Sequence, residues 1–169
     1  MPGSDLCWRH VVICTLNSWL PGDPRGFRTR DHKLHSSGDY KHRPPRGEHT
    51  GLHRYSRSVS GQPVIIPPAL REAVGRVILD KIEHRVLALA AAGMHTHLLA
   101  ELPVDLTASK RIIGRCKAAA SHAIRNTLPG RVWAHDGDFK PIRDYRHHRN
   151  AYRYILDQDD AWIWDYRGA

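Results

Sequence analysis

RVLALAAAG, residues 85–93, is followed after Met94 by HTHLLAEL, residues 95–102. Both runs are short and apolar, and Gly93 separates them at hairpin-like spacing. They therefore predict two neighbouring antiparallel strands. Upstream, Pro67-Pro68 opens the segment PALREAVGRVILDKIEHR, where Leu70, Val74, Val77, Ile78 and Ile82 recur at three- and four-residue steps. That spacing predicts an amphipathic helix with one core-facing stripe. Downstream, Leu106 to Leu128 predicts a second long helix, with Thr107 as its cap and Pro129-Gly130 ending it.

At the N-terminal side, His10 to Asn17 (HVVICTLN) is β-branched and apolar enough for an opening strand. After the second helix, Arg131–Ala134 and Phe139–Arg143 predict two short strands around a His135-Asp136-Gly137-Asp138 turn. A final helix runs from about Tyr145 to Asp160. Helices and strands in this order predict an α+β protein, an antiparallel sheet covered by helices.

The chain has 169 residues, which predicts one domain over 1–169. Residues 18–67 interrupt it: Gly, Pro, Ser, Arg and His dominate, and neither a helical nor an alternating period is sustained. A connection this long reads either as a solvated insertion or as a basic arm that orders on nucleic acid.

Lys and Arg outnumber Asp and Glu 26 to 17, a net charge of +9 before any of the 13 histidines is counted. A polyanionic partner is the first inference. The longest nearly uncharged stretch, Val86 to Leu102, contains two histidines and falls short of the roughly 20 apolar residues of a membrane span. No signal-peptide pattern opens the chain, and Cys7, Cys14 and Cys116 are scattered without a C-x-x-C pair. A soluble cytoplasmic protein, associated with the nucleoid and free of disulfides and structural zinc, is the expectation.

His95-Thr96-His97 is the most informative local pattern. On a strand, residues i and i+2 share a face, so both imidazoles can approach one metal ion while Thr96 points to the other face. Alone, this is also what a histidine-rich chain produces by chance. Near the C-terminus, AYRYILDQ (151–158) places Tyr154 and Gln158 one turn apart on a helix. A tyrosine is an effective nucleophile toward a phosphodiester when it is in line and a metal neutralises the phosphate. Gln158 can supply a third ligand. Tyr152 sits about 200° from Tyr154 around a helix axis, so the two cannot face one metal. Tyr145 and Tyr166 lack a glutamine four residues on and read as structural or surface residues.

These motifs resemble those of the HUH single-tyrosine transposases of the insertion-sequence 200/605 type, including the REP-associated tyrosine transposases. HTHLLAELP (95–103) is similar to that family's H-U-H motif with its following strand and Leu-Pro, and Tyr154-Ile155-Leu156-Asp157-Gln158 to its Tyr-x-x-x-Gln signature. Leu106 to Lys117 looks like the segment after the motif, while His10 to Thr15 and WLPGDPRG (19–26) look like the N-terminal part. Gly93-Met94 replaces the family's Met-Pro-Asn/Asp entry to the motif, and Thr96 is smaller and more polar than the usual middle residue.

The resemblance implies a ferredoxin-like antiparallel sheet, usually in a homodimer whose tyrosine helix can serve the partner's site. His95, His97 and Gln158 would hold Mg²⁺ or Mn²⁺, and Tyr154 would attack single-stranded or hairpin DNA to form a 5′-phosphotyrosine. Arg25, Arg28, Lys110, Arg111, Arg115, Lys117, Arg146 and Arg149 are the candidate contacts to the DNA backbone. His147 and His148 lie among the basic residues before Tyr154 and read as part of a solvated face.

Other readings compete. A two-histidine phosphoesterase needs a second histidine-x-threonine motif, which the sequence lacks. A domesticated, non-mobile relative would bind or nick hairpin DNA in a host role. A binding-only protein would hold the hairpin through the basic arm and Trp19, Phe27, Tyr40 and Tyr55.

Overall fold

The computed structural model describes residues 5–29, 31, 33–38 and 42–168; Tyr40 lies outside the described residues. Nine elements follow one another: β1 (Leu6–Thr15), α1 (Thr50–Ser60), α2 (Pro68–Lys81), β2 (Val86–Ala92), β3 (His95–Pro103), α3 (Leu106–Ile124), β4 (Trp133–Pro141), α4 (Tyr145–Leu156) and β5 (Ala161–Asp165). The five strands form one antiparallel sheet in the order β4-β1-β3-β2-β5. Strands β1 to β4, with α2 and α3 as the crossovers, make a ferredoxin-like α+β arrangement.

Helices α2 and α3 cover one face of this sheet and α4 covers the other. Val74 and Ile78 of α2 and Ile113 and Cys116 of α3 are buried on the first face with Ile13, Leu89 and Leu98. A Cβ on Gly75 would lie 2.3 Å from the Trp162 ring and 3.2 Å from Leu89, so α2 approaches β2 and β5 more closely than any side chain there would permit. On the second face Ala88 and Ala90 are small enough for α4 to approach, and Ala151 and Ile155 pack against them and Leu99.

Helix starts follow local chemistry. Pro68 supplies a pre-set φ and lacks the N–H that the first turn of α2 leaves unbonded. Asp105, not Thr107, caps α3: its carboxylate accepts from the N–H groups of Thr107 and Ala108. Asp144 does the same for α4, accepting from His147 N–H at 2.7 Å.

Several expectations change. Residues 133–141 are a single strand: Val12 pairs with Asp138, Ile13 with Gly137 and Thr15 with Trp133, so the expected turn is a register shift within the strand and not a break between two strands. A Cβ at Gly137 would stand 3.0 Å from Val12 O, so the glycine serves close strand approach next to an irregularity in the ladder. The last helix ends at Leu156, and AWIWD (161–165) adds a fifth strand beside β2.

The described residues of the interruption, Leu16–Val64, form a compact unit of their own, separate from the sheet-bearing unit. Within it lies α1, a short helix whose few apolar residues, Leu52, Tyr55 and Val59, fall at helical spacing but are too few to sustain a period in a mostly polar segment. Among the described residues, no helix is long and apolar enough to cross a membrane.

Candidate active site

The β1–β3 register sets the site. Val12 pairs with His97, Cys14 with His95 and His10 with Leu99, so His10, His95 and His97 all stand on the sheet face that α4 covers. Thr96 points to the opposite face, fully buried, with no hydrogen-bond partner for its Oγ1.

The histidines and the C-terminal end of α4 meet over this face. The His95 and His97 ring centroids are 4.8 Å apart, and the Tyr154 ring lies 5.4 Å from His97 and 5.8 Å from His10. Tyr154 is half-exposed, so a substrate can reach it, and it sits beside the histidines of its own chain. Its fixed position comes from its neighbour: Ile155 is fully buried against the sheet and anchors this turn of the helix.

Gln158 reaches the site from the turn after α4, not from the helix as expected. Asp157 caps the helix end, and Gln158 Nε2 donates to Tyr154 O at 3.1 Å. A carbonyl can only accept, so the amide nitrogen is committed to it and the amide oxygen faces the sheet, 3.4 Å from His95 Nε2. The turn is held from below by Arg71, a buried side chain of α2. It donates to Asp160 Oδ1 at 2.8 Å, to Asp160 O and to Ile66 O.

His10 was not singled out by sequence reasoning. Its Nε2 lies 3.0 Å from His97 Nδ1, a buried contact. Burial pushes the His97 pKa down to about 3, helped by the positive charge that His95 and His10 would carry if protonated. Burial and Lys140 lower that of His10 to about 4. Both rings are therefore neutral near pH 7, and at 3.0 Å one of the two nitrogens can donate to the other. If the proton sits on His97 Nδ1 and is donated to His10, the lone pair of His97 is on Nε2. A second ring nitrogen tied up in this way is what holds a ligand histidine in one tautomer. No local signal marked it, since only the β1–β3 register puts His10 on the site face.

One pair of these donors has the spacing that a shared divalent ion requires. Two donors about 2.1 Å from one ion at tetrahedral to octahedral angles lie about 3.0–3.5 Å apart, which accommodates the 3.4 Å between His95 Nε2 and Gln158 Oε1. A neutral His97 has a lone pair to offer. Among the described residues no group of three or more His, Cys, Asp or Glu could hold a metal, so the set depends on the glutamine amide and contains no carboxylate.

The proposed DNA contacts divide. Arg146 and Arg149 are exposed on α4, on the histidine side of the sheet. Lys110, Arg111, Arg115 and Lys117 belong to α3, on the far side from the histidines. Lys110 pairs with Asp136 at 3.1 Å, and Lys117 Nζ donates to the carbonyls of Ala134, His135 and Asp136, pinning β4 to α3. In the second unit, Arg25 is bound to Asp23 at 2.6 Å and stacks over Trp19, while Arg28 is exposed. Of the aromatic residues expected to stack on a hairpin, Phe27 is buried and cannot do so, whereas Trp19 and Tyr55 are exposed.

Comparison of the chain with protein-family profiles, with curated proteins and with solved structures found no match.

Proposed function

We propose that the chain is a metal-dependent single-strand DNA endonuclease and strand transferase of the transposase kind, with Tyr154 as nucleophile. The observation that carries this reading is the convergence of Tyr154, His95, His97 and Gln158, drawn from a strand and a helix end more than 50 residues apart in sequence.

In this mechanism the Tyr154 Oη attacks the phosphorus of a phosphodiester, forming a phosphotyrosyl bond as the bond to the 3′-oxygen breaks. Tyr154 is half-exposed, so its proton passes to water and the departing 3′-oxygen takes one up. The covalent bond keeps the energy of the phosphodiester, and attack by a free 3′-OH reverses the step and joins strands. His95, His97 and Gln158 are the residues that would hold Mg²⁺ or Mn²⁺. Such an ion supplies charge neutralisation at the phosphate. Two imidazoles with one amide oxygen suit Mn²⁺ better than the harder Mg²⁺, which favours all-oxygen sites. Arg146 and Arg149 guide the strand by its phosphates. The +9 net charge supports a nucleic-acid substrate, and a homodimer belongs to the same proposal, each site being assembled within one chain as Tyr154 lies beside its own histidines.

The test is covalent capture. Purified protein, Mn²⁺ and labelled single-stranded DNA should give a band stable to denaturation in SDS. Tyr154→Phe should abolish that band and EDTA should prevent it. An undiminished adduct in either case overturns the assignment.

A further inference from the structure

A second concave site lies at the other end of α4. Trp8, Tyr145, Tyr152 and Tyr166 supply its walls around a cavity of 350 Å³, within the size range of small-ligand pockets. Arg85, Arg149 and Arg167 stand at the same cavity. Arg85 lies over the Trp8 ring at 5.6 Å, and Arg167 over Tyr152 at 5.3 Å and Tyr166 at 5.7 Å.

The charge is one-sided. No carboxylate lines the cavity, and among the described residues no ion pair holds these three arginines. Beside the cavity, Asp165 accepts the hydroxyl hydrogen of Tyr152, locking that ring as a wall. His148 meets the Trp8 ring edge-on at 5.2 Å and closes the floor. Tyr145 is mostly exposed, so its ring is open to a ligand from solvent.

Flat rings beside guanidinium groups whose charge no carboxylate lining the cavity offsets, Arg167 Nε donating to the Tyr166 hydroxyl at 3.3 Å, are complementary to a flat, apolar base attached to a phosphate. We infer that this cavity is a nucleotide subsite that takes one unpaired base of a single strand between its aromatic walls and the adjoining phosphate on Arg149 or Arg167. Tyr145 and Tyr154 are nine residues apart on α4, about 14 Å along the helix at 1.5 Å per residue, so the subsite is separate from the tyrosine and its histidines. The inference rests on the nucleic-acid reading of the chain, but it needs neither cleavage nor metal.

The experiment uses the full chain carrying Tyr154→Phe, in EDTA, titrated with a mixed-sequence tetranucleotide and with its fully abasic counterpart of equal charge. The base-bearing strand should bind about tenfold more tightly, in keeping with stacking on an aromatic platform, and should shift the Trp8 indole N–H resonance. In Tyr145→Ala/Arg167→Ala, two exposed positions whose loss leaves the core intact, that preference should fall to within twofold. Arg167→Lys, which keeps the charge and loses the planar stack, should fall between.

Free deoxynucleoside monophosphates that displace the strand at equal concentration would assign the subsite to soluble nucleotides rather than to a strand. Equal binding of both strands, a preference unchanged in the double variant, or equal competition by polyglutamate would overturn the inference. An intact base preference with no covalent adduct in the wild type would remove only the proposed cleavage activity. An adduct with no base preference would remove only the subsite.

Discussion

His10 Nε2 and His97 Nδ1 face each other at 3.0 Å, within hydrogen-bond distance, although 87 residues separate them. Strand pairing alone brings them together, because β1 and β3 run side by side in a register that stacks both rings on one face.

This contact predicts a positioning role for His10. His10→Ala should weaken Mn²⁺ binding by roughly 10- to 100-fold, the usual cost of losing a partner that orients a ligand histidine. His10→Gln, whose amide oxygen can accept from His97 Nδ1, should recover part of that loss. Isothermal titration of the wild type and both variants with Mn²⁺ decides it; three equal affinities would refute the role.

Acid should destabilise the metal-free fold earlier than carboxylate titration would. The folded pKa values of His97 and His10, about 3 and about 4, lie below the roughly 6.5 of an exposed imidazole. The unfolded chain therefore binds protons that the folded chain rejects. Stability is complete above about pH 6.5 and declines below it, each group contributing up to about 1.4 kcal/mol per pH unit until its folded value is reached. Urea melts in EDTA at pH 7.5, 6 and 5 should show this slope, with a shallower one in His97→Gln. A flat profile over that range would show that the rings are not held neutral.

Thr96→Val should stabilise the protein by about 1 kcal/mol, since it replaces a buried hydroxyl that has no partner with a methyl group of similar size. The side chain points away from the histidines, so Mn²⁺ affinity and adduct formation should not change. Denaturant midpoints compare the two proteins, and a loss of stability would mean that the hydroxyl is bonded.

Ile155→Ala should cost about 2–5 kcal/mol, as truncation of a fully buried isoleucine does. The larger effect should be local: hydrogen exchange along α4 should accelerate more than exchange in β1 and β3. Uniform acceleration through the sheet would show that α4 has no independent anchorage there.

The sequence was most legible where a local period coincided with a buried face. The stripe in α2, the paired runs around Gly93 and the H-x-H spacing each needed only neighbours in the chain. It was least legible where pairing across the sheet decided the outcome. Residues 135–138 look like a turn until Val12 and Ile13 are laid beside them, and AWIWD is too short to announce itself as a strand without β2. Gln158 hydrogen-bonds to Tyr154, but it does so from a turn beyond the helix, and that turn is held by Arg71 from a different helix. His10 was missed because nothing near it in sequence marks it, and its meaning comes wholly from a partner on β3.

The hydrogen bond from Gln158 Nε2 to Tyr154 O makes the phenol and the amide oxygen parts of one solid piece, whereas the two motif histidines belong to the sheet. A sliding of α4 over Ala88 and Ala90 would alter every distance between the two pieces and none within either. Ile155 on the sheet and the Arg71 bonds to Asp160 are what oppose that movement, so the spacing of phenol and imidazoles is kept by groups outside the motifs.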